Sequence, residues 1–359
     1  MSRTQIHYNL DKIDNLNANY NLIYGEKSNG KSYQVKHKKG IEKYLKTGRR
    51  FILMRRWESD LTSAWIESYF SDVDIQKLTN NKYNCVTKFR NELYLTTMTE
   101  DYKKKRGEKI GYAIPISLEQ RYSGASFLDV DDIIVEEFMS RGIYIVNEPS
   151  KLMTFYSTVD RKRGTTKLWL VGNTVSRVCP YLKEWGLYDI MKNQKQGDIN
   201  TTIIHNEEND VKIAVEYCRS SGGKTMAIGQ AKNMIDKGEW QTDIQPKLPK
   251  SYKAYDILFR FGFQYQSFKF ICEYLVDKQE KKYPCWFIYP YNKNFEDNFI
   301  VFSDEIKLSP YWQRDIYNIT IKNEKLKHLF QSFREDKIFF SSDMCGTDFK
   351  QVIDFNIKR

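Results

Sequence analysis

Cysteine and histidine are scarce in this chain of 359 residues, with six and four copies. The cysteines lie far apart without any C-x-x-C pair, and the histidines are equally dispersed. Because structural zinc sites need closely spaced ligands, we predict no such site, and we expect a reducing, cytosolic compartment. The cysteines are Cys85, Cys179, Cys218, Cys272, Cys285 and Cys345.

Long apolar runs are missing as well. No stretch approaches 18 apolar residues, and the first eight residues, Met-Ser-Arg-Thr-Gln-Ile-His-Tyr, contain no apolar signal region. We therefore predict neither secretion nor a membrane-spanning segment, and we expect no membrane partner.

Acidic residues are outnumbered, because 57 Lys and Arg stand against 46 Asp and Glu and give a formal net charge of +11. That excess favours a polyanionic partner, although many soluble proteins are mildly basic without one. Hydrophobic residues make up 41% and aromatic residues 15% of the chain, which indicates globular, partly β-rich domains. The length is sufficient for two ordinary domains.

The most informative stretch is residues 25–32, which match the G-x-x-x-x-G-K-S pattern of a phosphate-binding loop. Its glycines allow a tight turn that presents backbone N–H groups to phosphate oxygens. Lys31 is predicted to contact the β- and γ-phosphates, and the Ser32 hydroxyl is the expected ligand of Mg²⁺. The predicted nucleotide-binding residues of the loop are Gly25, Glu26, Lys27, Ser28, Asn29, Gly30, Lys31 and Ser32.

The neighbours of the loop support this interpretation. Residues 20–24 form a short apolar run typical of a buried strand, and residues 32–39 suit a helix whose N-terminus receives phosphate. The alternative is a Gly/Ser turn beside a surface lysine. A second apolar strand over 49–54 then predicts a βαβ unit and a parallel sheet.

A second motif comprises residues 132–138, Asp-Ile-Ile-Val-Glu-Glu-Phe. An apolar strand that ends in two acids is typical of a Walker B element. Glu136 is predicted to hold the metal, and Glu137 to activate the attacking water. Adjacent acids at a strand end also indicate that one carboxyl has a raised pKa. Taken alone, this pattern is weak evidence for a Walker B element, and the phosphate loop upstream strengthens that prediction.

Other strand ends carry further candidates. Asn173 follows the apolar strand 167–171 and is predicted to sense the γ-phosphate or the lytic water, or else to cap a turn. Arg55 and Arg56 follow the second strand and are either ligand contacts or a solvated strand end. The run 103–106, Lys-Lys-Lys-Arg, is predicted at the tip of a β-hairpin, as a solvated loop or a set of DNA phosphate contacts.

The pattern changes in the second half. Residues 210–219 and 225–237 are predicted as helices, and Pro246 and Pro249 mark a boundary. Alternating residues in 254–263 and 283–290 predict strands, and 323–335 predicts a helix. The predicted organisation is an ATPase domain over 1–200, a helical linker over 201–248 and a smaller α+β domain over 249–359.

Taken in order, these motifs resemble the DNA-packaging ATPases of small short-tailed phages with protein-primed genomes, the picovirus group. The resemblance covers roughly residues 20–180. The phosphate loop is generic to many NTPases, whereas the other pieces are more specific. Those pieces are Phe51-Ile-Leu-Met-Arg-Arg56, Ala113-Ile-Pro-Ile-Ser117, Ile133-Ile-Val-Glu-Glu-Phe138, Asn147-Glu148 with Arg161-Lys-Arg163, and Gly172-Asn-Thr-Val-Ser176.

The resemblance implies an ASCE-type P-loop ATPase that uses ATP to thread double-stranded DNA into an empty capsid. The implied assembly is a homo-oligomeric ring, a pentamer, that docks on the portal of the procapsid in the host cytoplasm. A structural RNA is a further candidate partner. The implied C-terminal domain is a vestigial RNase H-like domain that contacts nucleic acid or portal and is inactive as a nuclease.

The resemblance also assigns residues. Arg161 matches an arginine that acts on the neighbouring subunit's ATP, and Arg163 is the near alternative. Ungapped alignment places Ser123 at the position of a basic lid residue, with Arg121 two residues earlier. Glu136 stands where the family usually has Asp, which affects the expected geometry of Mg²⁺.

Three alternatives remain open from the sequence. One is a large terminase with an active nuclease, since Asp256, Asp304, Glu305 and Asp354 could supply metal-binding acids, although solvated surface acids are the simpler interpretation. Another is a secretion or conjugation ATPase. The last is a nucleotide-binding scaffold without catalysis, which Glu137 and Arg161 disfavour.

Overall fold

In the computed structural model, the described residues are 8–205, 209–223, 225–229, 231–305, 307–313, 323–333 and 335–357. The chain divides into two compact units, each described by itself below. The first unit comprises Met1–Val175, Cys179–Ile228 and Lys232–Trp240, and the second comprises Ser176–Val178, Gly229–Ala231 and Gln241–Arg359.

The first unit is built on a nine-stranded sheet with the order β3-β4-β5-β2-β6-β7-β1-β9-β8. Its strands are β1 (Tyr20–Gly25), β2 (Arg50–Arg55), β3 (Cys85–Phe89), β4 (Glu92–Met98), β5 (Lys104–Pro115), β6 (Val130–Glu136), β7 (Lys167–Asn173), β8 (Ile199–His205) and β9 (Asp210–Tyr217). The six strands from β5 to β9 in that order pair in parallel, whereas β3 and β4 on one side and β8 on the other pair antiparallel. The predicted parallel-core sheet is confirmed.

Helices connect these strands. They are α1 (Asp11–Asp14), α2 (Lys31–Val35), α3 (Lys43–Thr47), α4 (Ser63–Phe70), α5 (Ile75–Leu78), α6 (Glu148–Asp160), α7 (Pro180–Glu184), α8 (Tyr188–Asn193) and α9 (Lys232–Lys237), with 3₁₀ turns at Glu58–Leu61 and Ile116–Tyr122. A π-helical segment, Lys36–Glu42, joins α2 to α3, and the helix ends where Gly48 takes a left-handed conformation.

The parallel strands are buried on both faces, which explains why their sequences are continuous apolar runs. Their side chains join the helix after the phosphate loop in one core, in which Ile23, Phe51, Leu53, Ile134 and Trp169 are fully or almost fully buried. Because the central strands β1, β2, β6 and β7 are buried on both faces, their register and the positions of their ends are fixed by packing.

The prediction of a helix over 210–219 is wrong. Residues 210–217 form β9, which pairs in parallel with β1, and residues 199–205 form β8 beside it. Val211, Ile213, Val215 and Tyr217 alternate with other residues at the strand period of two, and Ile213 and Val215 are fully buried. The interval predicted as a helical linker therefore contributes two strands to the sheet, and its described helix is α9 alone.

The second unit contains a six-stranded mixed sheet with the order β14-β13-β10-β11-β12-β15. Its strands are β10 (Tyr255–Tyr265), β11 (Phe268–Asp277), β12 (Cys285–Pro290), β13 (Val301–Ser303), β14 (Trp312–Gln313) and β15 (Ile338–Phe340), with the short 3₁₀ turn Tyr252–Ala254. β10, β11 and β12 form an antiparallel meander, and the outer pairings are parallel. The predicted mixed α/β composition is confirmed, and the RNase H-like assignment stays a prediction.

Two helices, α10 (Glu324–Ser332) and α11 (Asp343–Ile357), contribute to the core of the second unit. Alternating strand residues such as Phe261, Phe263 and Trp286 pack with Leu326 and Phe349 of these helices. This core is rich in phenylalanine and also contains Trp286. Across the described residues, no helix has the length and apolar composition needed to cross a membrane.

A matched pair of substitutions tests whether residues 210–217 form a buried strand. Ile213 on β9 has 0% and Ile203 on β8 has 50% of its surface exposed. We expect Ile213→Ala to lower the free energy of unfolding by about 2–5 kcal/mol, because it removes buried methyl groups and leaves a cavity. Ile203→Ala should cost less than about 1 kcal/mol.

The measurement is denaturant unfolding followed by circular dichroism. If the two variants unfold at the same denaturant concentration, the placement of 210–217 inside the sheet is wrong.

Candidate nucleotide site

The phosphate loop connects β1 to α2, as the sequence predicted. Gly30 has a φ of +97° and Ser28 a φ of +64°, so the loop contains left-handed positions that favour glycine or a short polar residue. At Gly25, a Cβ atom would lie 3.0 Å from the Cβ of Cys218, which follows β9. A larger residue at position 25 would therefore push β9 away from β1.

Lys31 is almost completely buried, with 4% of its surface exposed. Its ammonium group donates to the carbonyl of Glu26, to Asn29 Oδ1 at 3.1 Å and to Asn173 Oδ1 at 3.3 Å. Burial lowers the pKa of Lys31. The lysine thus links the phosphate loop to Asn173, the predicted sensor at the end of β7.

The side chain of Glu26 is turned away from the loop opening. Its buried carboxylate accepts hydrogen bonds from the backbone N–H of Ser221 at 3.1 Å and from the hydroxyls of Ser220 and Ser221. These serines lie just beyond β9. The carboxylate of Glu26 anchors the loop to the segment after β9. Only the backbone of Glu26 is therefore left to contact a nucleotide, as predicted for this residue.

Ser32 and Glu136 lie next to each other, although 104 positions separate them in the chain. The Ser32 hydroxyl donates to Glu136 Oε2 at 2.9 Å, and the Tyr69 hydroxyl donates to Glu136 Oε1 at 2.6 Å. Burial raises the pKa of Glu136, and the two hydroxyl donors oppose that shift. The raised pKa belongs to Glu136, and its main cause is burial, whereas the neighbouring acid, which prompted the prediction, contributes least.

This pair fits a magnesium ion. Hydroxyl and carboxylate oxygens are the hard donors that Mg²⁺ prefers, and Mg²⁺ is commonly bound by one or two such groups together with substrate phosphates. Ser32 and Glu136 offer that set beside a loop shaped for phosphate. Among the described residues, no group of three or more His, Cys, Asp or Glu side chains is placed to hold a metal.

Glu137 lies at a sharp turn after β6, with a φ of +57°. Its side chain is 57% exposed and forms an ion pair with Arg55, whose guanidinium also lies 4.8 Å from the ring centre of Trp65. The second predicted acid is therefore accessible and held by a residue from the end of β2. Arg55 is paired with Glu137 and is therefore not a free, solvated strand end, while its contact with a ligand stays a prediction.

Arg56 has a different environment. It is buried and donates from Nε to Glu148 Oε2 at 2.9 Å, and from its terminal nitrogens to the carbonyls of Glu137 and Phe138, each at 2.6 Å. The arginine thus fixes the backbone turn that presents Glu137. Its role in the structure is to position the acidic turn.

These groups surround a cavity of about 700 Å³. It brings together the loop residues from Lys27 to Ser32, both acids and Asn173, whereas Gly25 and Glu26 lie outside its lining. The full lining is Lys27, Ser28, Asn29, Gly30, Lys31, Ser32, Tyr33, Lys36, Trp65, Ser68, Tyr69, Ser71, Asp72, Glu136, Glu137, Val171, Gly172 and Asn173. A cavity of this size accommodates a small-molecule ligand.

Arg161 is not part of this cavity. It caps the C-terminal end of α6 and precedes β7, so it lies at the opposite end of the parallel strands from the phosphate loop. Arg161 is exposed, and its guanidinium donates to the carbonyls of Gly124 and Ala125 at 3.3 and 2.7 Å. Arg121, at the end of the 3₁₀ turn, is also exposed and outside the lining.

Arg163 is half-buried, whereas Arg161 is exposed. Its guanidinium donates to the carbonyls of Leu128 at 3.0 Å and Val130 at 2.8 Å, and to the Thr166 hydroxyl at 3.3 Å. Arg163 therefore supports the loop before β6, and Arg161 is the more accessible of the two candidates.

The basic run lies at the predicted hairpin, which β4 and β5 form. Lys104 forms an ion pair with Glu67, and the Arg106 guanidinium lies 3.8 Å from the ring centre of Phe89. Lys103 and Lys105 are exposed. Lys103 and Lys105 therefore remain the candidates for contacts with DNA, because neither takes part in the ion pair with Glu67 or the packing on Phe89.

The four acids of the C-terminal unit lie in three places: Asp256 on β10, Asp304 and Glu305 directly after β13, and Asp354 on α11. Asp256 on β10 forms an ion pair with Lys281, and Asp304 accepts hydrogen bonds from the backbone and side-chain nitrogens of Gln266 at 3.0 and 2.8 Å. Asp354 is exposed on α11 and Glu305 is half-buried. The nuclease hypothesis gains no support from these contacts.

Sequence analysis did not identify Tyr69, Trp65, Ser220 or Ser221 as site residues. Each joins the site through a contact between distant parts of the chain, such as the 67 positions between Tyr69 and Glu136. No local motif marks such residues.

Comparison with known proteins identifies the family. The sequence pattern of the podovirus DNA encapsidation protein (Gp16) matches residues 2–345. Proteins named DNA packaging protein from Bacillus phages phi29 and PZA are 31% identical over 243 residues, which cover 67% of this chain and 66% of each relative. The aligned chain thus spans just under two thirds of the length of these relatives.

A solved structure has the same fold. The bacteriophage Phi-29 viral genome packaging motor assembly contains a chain that aligns with 97% of this chain and 99% of its own length, at 20% identity and a TM-score of 0.54. The match of the family pattern over almost the whole sequence decides the assignment. The chain belongs to the podovirus DNA encapsidation protein (Gp16) family.

Proposed function

We propose that this protein is an ATP-driven motor that moves double-stranded viral DNA into a preformed capsid. The observation that carries the proposal is the cavity in which the phosphate loop, the Ser32–Glu136 pair and Glu137 face one another. The names of the relatives, DNA packaging protein, support DNA as the cargo. The net charge of +11 is consistent with a polyanionic partner.

Each residue then has a chemical task. The loop amides and Lys31 bind the phosphates of ATP, and Ser32 and Glu136 hold Mg²⁺, which when bound neutralises charge on the β- and γ-phosphates. Glu137 accepts a proton from the attacking water, and it is exposed enough to reach solvent. Arg55 orients the carboxylate of Glu137, and Asn173 orients the γ-phosphate or the water.

We infer that the active form is a homo-oligomeric ring, a pentamer, docked on the capsid portal, with a structural RNA as a further candidate partner. Arg161 lies at the far end of the strands from its own chain's cavity, and it is exposed. An arginine in that position can serve the site of an adjacent subunit, where it stabilises negative charge in the transition state. The C-terminal unit would contact nucleic acid or portal without cutting DNA.

The proposal is tested by combining purified protein, portal-bearing procapsids and linear double-stranded DNA. We expect ATP-dependent protection of DNA against added DNase, and ATP turnover that rises when procapsids are present. Rapid turnover by dilute monomers that is unaffected by DNA and procapsids would contradict the motor assignment.

Substitutions in the cavity separate binding from chemistry. We expect Lys31→Ala to abolish ATP binding and packaging, because the loop loses its buried cation. Glu137→Gln should retain ATP binding and reduce turnover by about 100-fold or more, because the amide cannot accept the proton. Binding of a fluorescent ATP analogue and phosphate release measure the two properties.

The matched control is Glu100→Gln, which neutralises an exposed acid outside the cavity lining. This variant should bind ATP and hydrolyse it as the wild type does. Full turnover by Glu137→Gln would show that the assignment of the general base is wrong.

The three consecutive cations at 161–163 allow a second test. We expect Arg161→Ala to keep the ATP binding of the wild type and to lower turnover of the assembled protein by about 10³-fold or more. Its melting temperature should fall less than that of Arg163→Ala, because the exposed Arg161 donates to two carbonyl groups and the half-buried Arg163 donates to four. Lys162→Ala removes the same charge from the neighbouring exposed position and should retain turnover. Arg163→Ala should lower the melting temperature, because several carbonyl groups lose their donor.

Mixing Arg161→Ala subunits with Lys31→Ala subunits distinguishes action on a neighbour from action within one chain. Neither variant turns over alone, and mixed rings should recover activity where an intact arginine faces an intact phosphate loop. Complete absence of recovery in mixed rings of confirmed composition would count against the role across the subunit boundary.

The hairpin provides a test of DNA binding. We expect the double substitution Lys103→Ala and Lys105→Ala to weaken DNA binding, and to lower the dependence of log K on log salt by about one per lost phosphate contact. Lys46→Ala with Lys77→Ala removes the same charge from other exposed positions and should leave that slope unchanged. Fluorescence anisotropy with duplex DNA at several salt concentrations gives the slopes, and identical slopes for both double variants would exclude the hairpin.

A further inference from the structure

The carboxylate of Glu136 is held from two sides. Ser32 donates to one oxygen at 2.9 Å and Tyr69 donates to the other at 2.6 Å. Ser32 comes from the phosphate loop and is itself a proposed ligand of the metal. Tyr69 comes from α4, outside the phosphate loop, and its hydroxyl donates to Glu136, so it can orient this carboxylate without being a metal ligand itself.

The ring of Tyr69 is itself fixed in place. It stacks on Trp65 with ring centres 4.8 Å apart, and it meets Phe70 edge to face at 5.0 Å. The Lys36 ammonium lies 4.4 Å from the centre of the Tyr69 ring and also donates to the Tyr69 carbonyl. With three neighbours on its ring, the tyrosine presents its hydroxyl to Glu136 in a defined direction.

Glutamate at position 136 makes such a partner necessary. Its side chain has one more rotatable bond than aspartate, and the terminal torsion of Glu is broad, so an unsupported carboxylate samples several directions. Hydrogen bonds from residues outside the ligand set are the usual means of orienting a metal-binding carboxylate. The Tyr69 hydroxyl meets that need at the carboxylate oxygen opposite to Ser32.

We propose that Tyr69 is a positioning residue that sets the direction of the Glu136 carboxylate for Mg²⁺, and that its hydroxyl is required because residue 136 is glutamate. The proposal rests on the proposed ATPase function. It predicts that the hydroxyl affects the magnesium dependence of nucleotide binding and leaves binding without magnesium unaffected.

The experiment uses the full chain and the substitution Tyr69→Phe, which retains the ring and its stacking. Binding of a fluorescent, non-hydrolysable ATP analogue is measured in EDTA and over a series of Mg²⁺ concentrations. We expect the affinity in EDTA to equal that of the wild type, and the Mg²⁺ concentration at half-maximal effect to rise about tenfold, since a hydrogen bond to a charged group is lost.

The matched control is Tyr44→Phe. It removes a tyrosine hydroxyl that donates to Glu108 at 3.2 Å outside the cavity lining. This variant should show the magnesium dependence of the wild type. If Tyr69→Phe also loses affinity in EDTA, its hydroxyl supports the loop in general and the proposal is overturned.

A double-mutant cycle with Glu136→Asp tests the second half of the proposal. The shorter aspartate withdraws the carboxylate from Tyr69, so Tyr69→Phe should change the magnesium dependence less than about twofold in that background. A tenfold effect that persists with aspartate would show that Tyr69 acts on something other than Glu136, and would overturn the proposal.

These experiments distinguish a failure of the Tyr69 proposal from a failure of the proposed ATPase function. If the wild-type protein binds no nucleotide or shows no magnesium dependence, the ATPase assignment itself is wrong. If the wild type binds with magnesium dependence and Tyr69→Phe is identical to it, only the role of Tyr69 is refuted.

Discussion

The register of three parallel strands determines the site. Gly25 at the end of β1 lies beside Asn173 at the end of β7, and Glu136 at the end of β6 lies beside Val171. Because the carboxyl ends of parallel strands meet at one edge of the sheet, the phosphate loop, the sensor position and the acids emerge next to one another. A shift of one residue in any of these pairings would turn every side chain of that strand to the other face.

The turn after β6 depends on a buried charge pair. Glu137 adopts a left-handed conformation that costs about 1–2 kcal/mol for a residue with a Cβ atom. Arg56 compensates by donating to the carbonyls of Glu137 and Phe138, while Glu148 neutralises the guanidinium. Gly172 leaves room for the Phe138 ring, since a Cβ atom at position 172 would lie 2.9 Å from that ring. An accessible acid is thus held by a rigid, buried frame.

The parts of the site that sequence analysis predicted are those that a short segment encodes completely. Three apolar strands are each followed by polar residues: the phosphate loop, the two acids and Asn173. Because the strands are parallel, these residues are expected at one edge of the sheet. The contacts of Glu26 with Ser220 and Ser221, and of Glu136 with Tyr69, join residues up to 195 positions apart and follow from packing alone. The helix predicted over 210–219 is the strand β9, whose apolar residues Val211, Ile213, Val215 and Tyr217 alternate along the sequence.

Arg161 lies far along the sheet from the phosphate loop of its own chain. Helix α6 has 13 residues and is therefore about 20 Å long, and it begins at Glu148 beside the acidic turn and ends at Arg161. Strand β7 covers a similar distance back from the level of Arg161 to Asn173. Both elements have fully buried side chains, such as Leu152 and Val159 on α6 and Leu168 on β7. The arginine therefore cannot approach Glu137 of its own chain while these elements stay packed. If Arg161 takes part in hydrolysis, it acts on another subunit, and the rate of hydrolysis then depends on how the subunits are assembled.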